Sequence, residues 1–212
     1  MTRDDIKRNV LSKMDEISPF QKTDEQFDSL MEGMLDDCTN LYLRSIPVHL
    51  IVKKELLLLN ANSPSRNFER GIANHHDLGI VLLPDGFLRL AYVACYEWHA
   101  PIVSADDVMT VNDKEYGRQF NQHTKAGLAK PMVFIDTVDV SKKRLIISPF
   151  RDHWGINVLS VYYVSETKPE KLQENLLDGF YWFFASHVLD AMQRYEQGKM
   201  AMGKFGEIVS EK

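Results

Sequence analysis

The run Asn74-His75-His76-Asp77 sets three potential metal ligands side by side. A zinc site takes such donors, but neighbours in an extended loop point in different directions, and the spacing is not that of a helical His pair. A surface loop explains the run more cheaply. His99, His123, His153 and His187 are scattered singly, and His187 falls on an apolar helical stripe where a hydrogen-bonded core histidine is the ordinary reading. Cys95 lies in a strand-like segment and Cys38 on a helical core face; no motif supplies either with a base, and two cysteines make neither a metal cage nor a disulfide framework. The carboxylate pairs Asp36-Asp37 and Asp106-Asp107 read as solvated faces or loop ends. Gly198 to Phe205 follows the spacing of a phosphate-binding loop up to its last position, where Phe205 replaces the magnesium-holding Ser or Thr, and it follows a helix instead of a strand. The Gly-x-Ser-x-Gly elbow, the dinucleotide fingerprint and the zinc-protease helix motif are absent.

Composition narrows the field in the same direction. The 212 residues are 44% apolar, enough for a real core, and the formal charge of −5 argues against a protein that holds nucleic acid by neutralising phosphates. The beginning, Met1-Thr2-Arg3-Asp4-Asp5, lacks the features of a signal peptide, and no apolar run approaches the roughly 20 residues that span a bilayer. The expectation is a protein without cofactor, metal or membrane anchor, in a reducing compartment.

The elements that would position any site follow from periodicity. Thr2 with Asp4 and Asp5 predicts a helix start, and Ile6, Val10, Leu11 and Met14 share one face over residues 3–15. Thr23 to Gln26 matches a capping box, and Phe27, Leu30, Met31, Met34, Leu35, Cys38, Leu41 and Tyr42 continue a second helix to Arg44, before Pro47. Leucine-rich residues 48–59 favour helix, and the Asn, Ser, Pro and His of residues 60–78 favour a long loop. From Gly79 to Val103 the chain reads strand, tight turn at Pro84-Asp85-Gly86, long strand. A short helix near residues 113–120 and strands near 131–138, 144–148 and 157–164 complete a small, mostly antiparallel sheet. Lys168-Pro169 then opens one long helix to about Lys199, roughly 45 Å at 1.5 Å per residue. Phe180, Tyr181, Trp182, Phe183 and Phe184 place aromatics on every side of it, more than one core face uses, so a neighbouring subunit is their expected partner. Met200, Met202, Phe205 and Ile208 mark the segment after it as a docking tail.

The fold class expected is therefore α+β: an elongated helical domain, residues 1–60 and 166–199, with an inserted β-rich domain over residues 79–165, a loop over 61–78 and a tail over 200–212.

At Leu82-Leu83-Pro84-Asp85-Gly86-Phe87-Leu88-Arg89-Leu90, followed by Trp98-His99-Ala100-Pro101-Ile102-Val103, the chain resembles head-to-tail connector proteins of short-tailed phages, the portal adaptor or ring proteins, of the crAss-like phage type. Glu115-Tyr116, Gln119 and Asn121, then Lys130-Pro131 and the aromatic-rich terminal helix, follow in the family's order. The similarity covers roughly residues 75 to 200 and departs at Gly86 and at the preceding Asn/Ser/Pro loop. It implies a structural virion protein with no active site: a twelve-copy ring docked below the portal, part of the channel through which double-stranded DNA leaves, partnered by the portal and adjacent tail proteins. Assembly in the host cytoplasm and residence at the portal vertex go with it. Two other classes stand beside it: a metal-dependent or nucleophilic enzyme using His75, His76 and Asp77 with His99 or Cys95, and an α+β scaffold or binding module outside any virion.

Overall fold

The computed structural model describes residues 1–18, 25–51, 57–60, 68–70, 78–95, 98–102, 108–120, 123, 126–137, 142–150 and 159–210. The chain is α+β and divides into two units, a helical one of residues 1–53 and 166–212 and an inserted β-rich one of residues 54–165.

In the helical unit, Thr2 opens α1 (Arg3–Ile17) with a capping box: its hydroxyl accepts from the Asp5 backbone N–H at 3.2 Å, and the Asp5 carboxylate accepts from the Thr2 N–H at 3.0 Å. Ile6, Val10 and Met14 of the expected face are buried. Helix α2 (Glu25–Ser45) buries Phe27, Met31, Leu35, Cys38 and Tyr42 at the expected spacing, together with Thr39 and Leu43, while Leu41 is exposed. The capping residues Thr23 and Asp24 lie outside the described residues. A single 3-10 turn, Val48–Leu50, follows Pro47.

The C-terminal segment departs from the single rod expected. Pro169–Lys171 is a 3-10 turn, α4 runs Glu174–Ala191, and after a reversal at Met192 to Arg194 a further helix, α5 (Tyr195–Ser210), packs back on α4. The reversal is a left-handed cap without glycine: Gln193 has φ 60°, the Arg194 N–H donates to Leu189 O at 2.9 Å, and the Gln193 N–H donates to Asp190 O at 2.9 Å. The physical reason is coverage. A helix apolar on all sides must be surrounded, and the fold-back brings Phe205 to 5.2 Å from the Phe183 ring and 5.9 Å from Tyr42.

In the β unit, Phe68–Arg70 (β2), Gly79–Leu82 (β3), Lys143–Ser148 (β7), Met132–Thr137 (β6) and Val108–Thr110 (β5) form one sheet in that spatial order, antiparallel except for the β5–β6 pair. Leu57–Asn60 (β1), Leu159–Ser165 (β8) and Phe87–Cys95 (β4) form a second, antiparallel one. Two expectations are corrected here. Leu57–Asn60 is a strand, not the end of a helix, because the ladder with β8 outweighs the few tenths of a kcal/mol by which leucine prefers helix. Part of the expected 60–78 loop, Phe68–Arg70, is an edge strand paired with β3.

The strands flanking Pro84-Asp85-Gly86 exist as expected, yet they pair with different sheets instead of with each other. Phe87 N–H closes the turn on Pro84 O at 3.2 Å, and Gly86 takes φ 78°. A single core drawn from both sheets contains Val81, Leu90, Val93, Val133, Leu145, Ile147, Val161 and Tyr163. On the other face of the five-stranded sheet, Tyr116 from the short helix α3 (Lys114–Arg118) packs edge-on to Phe134 at 5.2 Å.

Glycines separate two kinds of helix position. A Cβ on Gly198 runs into the Asp190 carboxylate and meets Ser186 O at 3.2 Å, whereas one on Gly203 meets nothing within 4 Å. Gly203→Ala should therefore raise stability by up to about 1 kcal/mol, and Gly198→Ala should lower it by about 1 kcal/mol despite the same propensity gain. Gly86→Ala, at positive φ, should cost about 1–2 kcal/mol. Urea unfolding of the three variants reads all three signs.

Candidate functional site

Helix α5 offers a surface because its two sides differ in composition. Gly198 and Ala201 are buried and Phe205 and Ile208 half-buried toward α4, while Tyr195, Glu196, Lys199, Met200, Met202, Gly203, Gly206 and Glu207 are exposed. Met200 and Tyr195 each keep 58% of their surface in water and Met202 36%. The tail expected at Met200, Met202, Phe205 and Ile208 is thus split by helical geometry. Met200 and Met202 face solvent, but Phe205 and Ile208 belong to the subunit's own packing and are removed from the docking set. The charges on the outer side pair within the helix, Lys199 with Glu196 at 3.1 Å and Lys204 with Glu207 at 2.9 Å, and leave it formally neutral.

The aromatic block is also corrected. Phe180, Tyr181, Trp182, Phe183 and Phe184 are all buried within this one chain, so they are not a free surface for a neighbouring subunit. Tyr42 sits 5.4 Å from Phe180 and 5.5 Å from Phe183, with its hydroxyl donating to Leu176 O at 2.8 Å. Phe184 stacks on Phe180 at 5.8 Å. Lys13 lies 5.0 Å over the Trp182 ring, and Asn9 donates to the Tyr181 hydroxyl at 3.2 Å.

No family model matches the chain, and no curated protein matches it.

Trp98 and Gln119 have structural work in the β unit. Trp98 is buried and its indole N–H donates to Pro149 O at 2.9 Å. Gln119 is buried and fully used: its Oε1 accepts from the Ala126 N–H at 2.8 Å and the Ser148 hydroxyl at 3.0 Å, and its Nε2 donates to Glu115 O at 2.9 Å. A buried amide in that position pins α3, the segment at Ala126 and β7 together. No composition or spacing signal marks Gln119 as core; only contacts between distant segments do.

The expected chemical candidates are dispersed. His75, His76, Asp77, Asp106, Asp107, Asn121 and His153 lie outside the described residues. His99 is exposed on a bend, and His187 places Nδ1 2.9 Å from Phe183 O one turn back, the satisfied helix histidine expected. Cys95 is buried in β4. Cys38 is buried on α2, and burial, with Asp37 beside it, pushes its thiol up to about 11, so it is not a nucleophile at neutral pH. Gly198 to Phe205 is the interior of α5, where backbone N–H groups serve the helix and form no anion cradle. Among the described residues no group of three or more His, Cys, Asp or Glu could hold a metal ion, and no helix is long and apolar enough to cross a membrane.

A dense charged cluster clamps α1. Arg3 reaches Glu32 and Asp36 of α2 at 2.5 Å and Glu170 at 2.8 Å, and Lys7 reaches Glu32 at 3.5 Å. Three carboxylates raise the Arg3 guanidinium above its ordinary value. Backbone N–H bonding first, and Arg3 second, hold the Glu170 carboxyl below the usual range. A carboxyl lowered by folding stabilises the fold above its unfolded value and loses that contribution as pH falls through its folded value. Arg3→Met should therefore cost about 1 kcal/mol at pH 7, a figure kept small by solvent screening, and the gap to wild type should narrow as pH falls below the ordinary glutamate range. Urea midpoints measured across pH 3–7 check it. Cys38 should resist iodoacetamide at pH 8 in the native protein and react once unfolded, as peptide mass spectrometry would read.

Proposed function

We propose that the chain is a structural virion protein, a head-to-tail connector subunit that forms a ring of about twelve copies below the portal and lines part of the DNA exit channel. What supports this reading is the ordered likeness from Leu82 to the terminal helix, whose members Pro84, Trp98 and Gln119 also close the turn between the sheets and make buried contacts of the β unit. A likeness that falls on fold-determining residues is a likeness of architecture, which is what a ring subunit requires. Charge suits the role. The helical unit carries 18 acidic and 13 basic residues, a formal −5, and the β unit carries 12 of each, so the whole excess of negative charge belongs to the helices. Phosphates slide past such a surface without being captured, whereas a lysine-rich one would hold them.

The aromatic block contributes nothing to this reading, since its rings are spent inside the subunit. Docking onto the portal or a neighbouring ring falls instead to the exposed surface of α5, where Tyr195 and Met202 lie along one flank and Met200 along the other; methionine adapts to irregular partner surfaces. Removing residues 200–212 would strip Phe205 from Tyr42 and Phe183, so point variants are the sharper instrument.

Cryo-EM of the purified chain mixed with its portal should show a ring of this chain on the portal. A chain that stays monomeric and does not bind the portal at micromolar concentration would rule the reading out. The double variant Met200→Glu, Met202→Glu should keep the fold by circular dichroism and lower portal binding at least tenfold; unchanged binding would move the docking site elsewhere.

A further inference from the structure

Nothing in the sequence marks residues 192–194 as a turn. Met192 and Arg194 are good helix formers, Gln193 is another, and no glycine or proline interrupts them. The chain nevertheless reverses there, with Gln193 in the left-handed region at φ 60°, a conformation that is costly for any residue with a Cβ. A helical φ at this residue would fuse the 18 residues of α4, three of the turn and 16 of α5 into one helix of 37 residues, roughly 55 Å long. It would also pull Ala201, Phe205 and Ile208 off α4.

The hairpin's contacts show where that face would go. They are spaced evenly about the turn: Gly198 lies against Ser186 and Asp190, Phe205 against Phe183, and Ile208 beside Gly179. Two continuous helices laid antiparallel and crossing at Gln193 remake every one of these contacts, with α5 of each copy on α4 of the other. Each contact then occurs twice about a two-fold axis, the self-complementary form a closed dimer takes. The same apolar surface is buried in both arrangements, and the strain at Gln193 is present only in the hairpin.

We propose that the α4–α5 hairpin is one of two states of the C-terminal segment, the other being a dimer in which a straightened Met192–Arg194 hinge hands α5 to a second copy of this chain. The exchange needs association, so concentration drives it, while the hairpin holds α5 at high effective concentration and dominates in dilute solution. This inference rests on α4 and α5 alone and stands apart from the connector reading, because its test contains no portal.

The test uses the full chain, with sedimentation equilibrium and mass photometry read after prolonged incubation at 1–200 µM. Gln193→Gly suits the positive φ and should remain monomeric; Gln193→Ala keeps the strain of the hairpin and favours the straight helix. Each hinge should shift the balance about fivefold or more between these variants, so the dimerisation constant of Gln193→Ala should exceed that of Gln193→Gly about 25-fold. Deleting Ala191 to Arg194, about one helical turn, leaves too little chain to reverse while keeping the α5 face in register with α4, and should give dimers at every concentration tested. Identical mass distributions for the two substitutions, with native circular dichroism, would overturn the proposal. So would a deletion variant that is a folded monomer, or association that is open-ended instead of two-fold. Dimers equally populated in both substitutions would assign the contact to a surface other than the α4–α5 exchange and likewise overturn it.

Discussion

Helix α4 carries apolar side chains all the way round its axis, and a helix of that kind is stable in water only when something covers every side. Leu176, Phe180, Trp182, Phe183, Phe184 and Val188 are all buried, and α1, α2 and α5 each pack against the helix that bears them. Burying one such side chain is worth about 1.5–3 kcal/mol, so this one element accounts for a large part of the stabilisation of the helical unit. Much else in that unit follows from it. The face of α1 formed by Ile6, Val10 and Met14, the Tyr42 ring of α2 with its hydroxyl on Leu176 O, and the fold-back of α5 are the means by which α4 is covered. Electrostatics plays the smaller part. The Arg3 clamp on three carboxylates sets where α1 begins against α2, at the half-exposed edge where ion pairs contribute little to stability and more to alignment.

The β unit solves a different problem, how two consecutive strands can belong to different sheets. Pro84 presets one dihedral and Gly86 accepts a positive one, so the chain turns sharply after β3 and leaves along β4 into the second sheet. The inward side chains of both sheets then meet in one core, and the reverse face of the larger sheet is closed by Tyr116 from α3. Two register shifts in β4 opposite β8 mark where that strand bends to follow the core. The buried Gln119 side chain bonds to three separate segments, and buried polar groups of that kind specify a single arrangement more than they add stability.

The sequence by itself determined the class of the fold and most of its elements. Thr2 with Asp5 set the start of α1, the three-and-four spacing from Phe27 to Tyr42 set α2, and the β-branched runs set β6, β7 and β8, because capping, amphipathic period and strand propensity act between residues close in the chain. Even the turn at Gly86 was readable, since only its own dihedral had to be satisfied. What the tertiary structure alone decided was pairing and exposure. The partners of β3 and β4, the strand at Leu57–Asn60, the burial of the aromatic block and the reversal at Gln193 all depend on which distant segments lie alongside. The same five aromatic residues fit a subunit interface or a covered core equally well as a pattern; α1, α2 and the returning α5 choose the core, because surface that can be buried within one chain is buried without the entropic cost of association.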